Sequence, residues 1–128
     1  MIMKYANQTN PKKSARSYGK NMRISTKSSV TLCKAINGLR VDKAEGLLKG
    51  LVEGKRDLHG KYYTKTAHNI LDILVSAKSN AESKGLEVES MVVKASAHKG
   101  FRLWTPRRFK LARTAAKNTS IQMVLEAR

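Results

Sequence analysis

Two hydrophobic periods run along this chain, a helical one up to about residue 85 and an alternating one from residue 91 onwards. In "STKSSVTLCKAINGL", Val30, Cys33 and Ile36 recur every third residue with Leu32 beside them, which predicts a first helix. Ser25 or Ser28 can cap its start, and Gly38 can stop it. In "VDKAEGLLKGLVEG", Leu47, Leu48 and Leu51 form one stripe of a second helix, with Asp42 and Glu45 spaced like a capping box. Gly46 and Gly50 weaken that helix by about 1 kcal/mol each relative to Ala, so tertiary packing must hold it. A polar connection, "GKRDLHGKYY", follows. The third helix, "TKTAHNILDILVSAKSNAESKG", puts Ala67, Ile70, Leu71, Leu74, Ala77 (or Lys78) and Ala81 on one face. Thr64 or Thr66 can cap it and Gly85 can end it, and its length of about 20 residues spans about 30 Å.

The period then becomes two. In "SMVVKASAH", Met91, Val93, Ala95 and Ala97 point one way while Val92, Lys94, Ser96 and His98 point the other. Near the end, Ile121, Met123 and Leu125 alternate with Gln122, Val124 and Glu126. Both stretches read as strands, and antiparallel pairing is their simplest arrangement. With helices on one face of that sheet, the fold class is α+β: three helices on a small antiparallel sheet, a long protruding β-hairpin and a basic N-terminal arm. At 128 residues the chain is expected to form one domain, burying roughly two-thirds of its unfolded surface. Its parts are the arm at 1–23, the core at 24–98 and 118–128, and the hairpin extension at 99–117.

Charge changes the picture. Lys and Arg number 26 against 9 Asp and Glu, a net +17. A lone globule so charged repels itself, so a polyanionic partner is expected. Position sharpens this: nine Lys or Arg residues precede the first acid, Asp42, and seven more lie between Lys99 and Lys117 with no acid among them. Surfaces built for solubility alone intersperse the two signs. The single cysteine, Cys33, excludes an internal disulfide and a cysteine zinc cluster, and its apolar neighbours mark it as a small core residue. No run reaches the ~20 apolar residues of a membrane span, and "MIMKYANQTNPKK" lacks a signal peptide's apolar stretch, so a cytoplasmic location is expected.

The second cationic stretch, "HKGFRLWTPRRFKLARTAAKN", carries the chemistry. It is longer than the roughly 12–15 residues at which unstructured loops become unusual in a compact domain, so it is either disordered or a hairpin whose arms outrun the core. Arms of about 18 residues could reach roughly 60 Å, with no core beneath the tip. Pro106 interrupts the ladder on at least one arm. Arg102, Arg107, Arg108 and Arg113 supply guanidinium groups that fork onto phosphates and stack on bases, while Trp104 and Phe109 supply stacking faces. The competing use of those two aromatics is packing on the domain's own core. Nothing resembles a helix-turn-helix, a zinc finger or a heptad seam for reading duplex DNA. His59, His68 and His98 have no motif relating them to each other or to a carboxylate, and neither a phosphate-cradling glycine loop nor a nucleophile elbow is present. No catalytic residue, metal site or cofactor is expected, and no enzyme activity.

Several motifs in order resemble one family: "NAESKGL" (80–86), "AHKG" (97–100), "WTPRRF" (104–109), "KNT" (117–119) and "IQMVLE" (121–126), with "MRIS" (22–25) and "AINGL" (35–39) as weaker matches. This is the large-subunit ribosomal protein family numbered twenty-two in bacteria and seventeen in eukaryotes, in its archaeal and eukaryotic form. The resemblance covers essentially the whole chain. It implies binding to large-subunit rRNA, with a surface globule and a hairpin that helps to line the nascent-peptide exit tunnel, neighbouring ribosomal proteins as further partners and the nascent peptide near the tip. Trp104, Pro106, Arg107 and Phe109 match the family's hairpin, and Lys117 and Asn118 its returning arm. Charge and location add Lys99, Arg102, Arg108, Lys110 and Arg113, and on the N-terminal arm Lys12, Lys13, Arg16, Tyr18, Lys20 and Arg23. The chain departs from the pattern in three places. "KLAR" (110–113) replaces the usual Gly-Arg-Ala after the Phe, the approach to the last strand is shortened at Ser120, and "GKRDLHGKYY" lacks a long insertion, so this is a compact variant. The rivals are a free-standing DNA or messenger-RNA regulator, which ribosome fractionation would separate, and a membrane-surface protein, which would need an apolar stripe on a basic helix.

Overall fold

A computed structural model describes residues 5–128, in the order β1 (Ser14–Met22), α1 (Thr26–Ile36), α2 (Val41–Val52), α3 (Thr64–Ser83), a 3₁₀ turn (Val88–Ser90), β2 (Met91–Lys99), β3 (Leu103–Trp104), β4 (Ala115–Ala116) and β5 (Thr119–Ala127). The fold is α+β. Three strands form one antiparallel sheet in the order β1-β5-β2, and β3 and β4 form a second, two-stranded one. Ladder rows Ala15–Leu125–Val93 and Ser17–Met123–Ala95 point towards the helices. The helices contribute Leu32 and Ile36 from α1, Leu48 and Leu51 from α2, and Ile70 and Leu74 from α3, all fully buried. Cys33 lies among them, 3% exposed, and burial pushes its thiol up to about 12, so it packs as a neutral apolar group.

Most residues of the expected helical stripes are buried, but Val30 lies outside the core while Ser29 and Ile73 are buried, and of the expected caps only Ser25 stands at an N-cap position. Ser25 occupies the N-cap of α1 as expected, but its side chain makes no capping hydrogen bond; Ser29 Oγ donates to the Ser25 carbonyl at 2.8 Å. Arg40, not Asp42, stands at the N-cap of α2, which leaves Asp42 in the first turn and frees Glu45 for ion pairs with Lys49 and Lys78. Tyr63, with φ 46°, stands at the N-cap of α3, so neither Thr64 nor Thr66 caps that helix. Gly85, at φ 70°, ends α3 as expected, in the left-handed conformation that a Cβ disfavours.

The largest difference concerns the N-terminal segment. Its first four residues lie outside the described ones, and Ser14–Met22 is not an arm but a sheet strand paired along β5. The inward side chains there are Ala15, Ser17 and Gly19, too small to show a hydrophobic alternation. The pairing is set by β5, whose second edge needs a partner for its backbone groups. Both outer edges of the sheet are covered. Residues 37–40 bond along β2, through Gly38 N to Val93 O and Val93 N to Leu39 O, and Asn80 and Lys84 of the α3 end donate to the carbonyls of Arg16 and Ser14.

Candidate nucleic-acid interface

β2 and β5 pair without a break from Met91↔Ala127 to Lys99↔Thr119, and there the core ends. Beyond it the two arms stay joined but loosely. Gly100 N donates to Asn118 O at 3.1 Å, Leu103 and Trp104 pair with Ala116 and Ala115, and Thr105 N donates to Thr114 O at 3.0 Å. A compact turn closes the tip, with Leu111 N and Ala112 N both on Arg108 O at 2.8 Å and Arg113 at φ 64°. Thr105 Oγ1 lies 2.6 Å from Leu111 O and 2.8 Å from Thr114 O, tying the two arms together across it. "KLAR" thus makes its turn through the amides of Leu111 and Ala112 on the Arg108 carbonyl and the carbonyls of Leu111 and Thr114 on Thr105 Oγ1, with Arg113 in the left-handed role. The ladder is interrupted between Lys99 and Leu103, so the projection is a hairpin with a short second sheet, not one continuous ribbon.

Every residue from 106 to 115 is exposed. Phe109 is 100% exposed, Phe101 71% and Trp104 62%, which rules out the alternative of aromatics packed on the domain's own core. The Arg102 guanidinium sits 5.2 Å from the Trp104 ring centroid, presenting a cation and a ring together. Among the described residues, the ion pairs use Lys49, Lys55, Lys78 and Lys94, none of them a candidate interface cation. The protein's carboxylates thus pair with four core lysines and with none of the hairpin cations.

The N-terminal candidates divide. Lys12, Lys13, Lys20 and Arg23 are exposed. Arg16 is committed to the protein itself, its Nη2 donating to Thr9 O at 3.2 Å and its guanidinium 5.1 Å from the Tyr5 ring. Tyr18 is held on the outer sheet face between Tyr5, edge-on at 6.4 Å, and His98, stacked at 6.3 Å. Lys99 and Lys117 flank the hairpin root, both exposed. Asn118 differs from them: it is 6% exposed, and its Nδ2 donates to Phe101 O at 2.7 Å, bracing the root.

That root is a polar joint which the one-dimensional pattern does not display. Asn21, at φ 51° in a bulge of β1, takes Phe101 N and Asn118 Nδ2 on its Oδ1, each at 3.4 Å. Thr119 Oγ1 donates to Ile24 O at 2.8 Å and meets Thr26 Oγ1 at the same distance. A Cβ on Gly100 would lie 2.6 Å from Asn21 Oδ1 and 2.9 Å from Asn118 Cγ, so only glycine lets the arms close here. Lys27, in the first turn of α1, lines the same cleft as the root.

The family described as Ribosomal protein L22p/L17e matches residues 17–126. The chain belongs to that ribosomal protein family. A large ribosomal subunit protein uL22 from Methanocaldococcus jannaschii is 35% identical over 147 aligned positions, covering 97% of this chain and 94% of the relative. Proteins of the same name from Methanococcus aeolicus and Archaeoglobus fulgidus are 33% and 34% identical, covering 97% and 91% of this chain and 96% and 90% of their own. An alignment of 147 positions exceeds the 128 residues present here, so the relative carries residues without a counterpart, in keeping with a compact variant. The family is structural and non-enzymatic. No helix among the described residues is long and apolar enough to cross a membrane.

Proposed function

We propose that this protein is a structural constituent of the large ribosomal subunit in the cytoplasm, binding rRNA through its hairpin and basic N-terminal residues. Neighbouring ribosomal proteins adjoin its globule, and the hairpin tip helps to line the nascent-peptide exit tunnel, close to the emerging chain. The observation that carries this reading is the tip itself: a bonded turn of exposed Arg107, Arg108, Lys110 and Arg113 around a fully exposed Phe109, with no apolar cover from its own domain. Such a projection gains stability from phosphates and bases. Family membership supports rRNA as that polyanion.

Two measurements test it. On a sucrose gradient of cells expressing the tagged chain, it should sediment with the large subunit; recovery only in ribosome-free fractions would favour a free-standing regulator instead. With matched rRNA, seven hairpin cations on phosphates give a slope of log K against log salt of about −5 to −6. Replacing Arg107, Arg108 and Arg113 with Ala should reduce that slope by about 2–3 and weaken binding. An unchanged slope would move the contacts off the hairpin.

A further inference from the structure

Resting on the rRNA-binding reading above, we propose that the cleft between the start of α1 and the hairpin root seats one unpaired nucleotide of the bound RNA. The cleft encloses about 570 Å³, within the roughly 300–1,000 Å³ of small-ligand sites and too small for a helical stem. One wall is the hairpin's Phe101 and Trp104, both largely exposed, with the Arg102 guanidinium over the Trp104 ring. Those planes take a base by stacking.

The opposite wall is the start of α1, Ser25 to Lys27. This 11-residue helix has no acid in its first turn and no side-chain cap, so its leading N–H groups meet no capping side chain and favour an anion. Lys27 belongs to that turn, Lys99 and Lys117 stand across the cleft, and no carboxylate lines it. At its base Asn118, 6% exposed, keeps Oδ1 buried with no hydrogen-bond partner while Nδ2 is engaged by Phe101 O. That Oδ1 is sealed inside the joint, so the surfaces the cleft offers a ligand are its aromatic and cationic side chains. Stacking planes on one side and an anion seat on the other fit the two halves of a nucleotide. In a paired stem the base is stacked out of reach, so only an unpaired or bulged nucleotide can fill both.

The chain's single tryptophan is Trp104, which makes its fluorescence a direct report on this cleft. Full-length protein would be titrated with a short RNA stem carrying one bulged adenosine and with the same stem fully paired. The bulged stem should bind at least about fivefold tighter and quench Trp104 more strongly. Lys27→Ala, at an exposed position, should remove most of that preference, whereas Lys12→Ala should weaken both stems alike. Equal affinity and quenching for the two stems, or a preference that survives Lys27→Ala, would overturn the cleft assignment while leaving rRNA binding intact. If neither stem bound, both the cleft assignment and the rRNA-binding reading would fall.

Discussion

Leu125 and Phe109 belong to the same hairpin, yet one is fully buried and the other fully exposed. At the Leu125 end the ladder lies under the helices, flanked by Ala15 and Val93. At the Phe109 end only turn hydrogen bonds hold the chain. The same secondary structure is thus stabilised by apolar burial at one end and by hydrogen bonds of the backbone and of Thr105 Oγ1 at the other. What differs is whether a helix is near enough to cover the strands. The tip is ordered by its own hydrogen bonds and has no apolar cover.

The sharpest way to break this contrast is to truncate one side chain at each end. Leu125→Ala should cost about 2–5 kcal/mol in urea unfolding, because the cavity it leaves is walled by helices that cannot collapse fully. Phe109→Ala should change stability by no more than about 0.5 kcal/mol, since it removes no internal contact. A cost for Phe109→Ala comparable with that for Leu125→Ala would mean that the tip folds back on the core in solution.

The joint between the two ends gives the next largest effect. Gly100→Ala places a methyl 2.6 Å from Asn21 Oδ1 and 2.9 Å from Asn118, neither of which has room to retreat while bonded to Phe101. A loss of about 1–3 kcal/mol in unfolding free energy is expected. Adding Asn21→Gly should recover part of it, both by removing one colliding atom and by relieving the positive φ at that position. If Gly100→Ala proves neutral, the joint is looser than its hydrogen bonds indicate.

How much of this was legible in the sequence follows the same division. The stripes of Ile70 and Leu74 and the alternation of Met91, Val93 and Ala95 announce themselves because burial demands large apolar residues at a fixed period. The acid-free run around Trp104 is legible as well, since a lack of compensating charge is a property of composition. β1 is not, because its inward residues are Ala15, Ser17 and Gly19 and its existence depends on a partner about a hundred positions away. The joint was missed for the same reason: Asn21, Gly100 and Asn118 act only once three distant segments meet. The helix starts misled because Asp42 and Thr64 look like caps, while the chain enters α2 and α3 one residue or more earlier. Of the candidate site, the hairpin aromatics and arginines are exposed, with Arg102 over the Trp104 ring, whereas Arg16 and Tyr18 are drawn into contacts with Tyr5 and His98 that no local pattern encodes.

The two ends differ in charge compensation too, and this gives the smallest effect. In the core, Glu45 joins α2 to α3 by accepting from Lys78 at 3.0 Å while also pairing with Lys49 at 2.6 Å; the hairpin cations have no such partner. Hydrogen bonds from Lys49 and then Lys78 hold the Glu45 carboxyl below its usual value. Both lysines are partly solvated, so Glu45→Gln should cost only about 0.5–1 kcal/mol at pH 7. Because the folded value is the lower one, this contribution is complete above the ordinary glutamate range and fades as pH falls through the depressed value. Urea midpoints of the wild type and Glu45→Gln should therefore converge in acid, below about pH 4. Arg108→Gln, by contrast, should leave the midpoint nearly unchanged at every pH, since no carboxylate of the protein pairs with it. A pH-dependent loss in Arg108→Gln would reveal an internal partner for the tip, and the contrast between a core with internal ion pairs and a hairpin without them would fail.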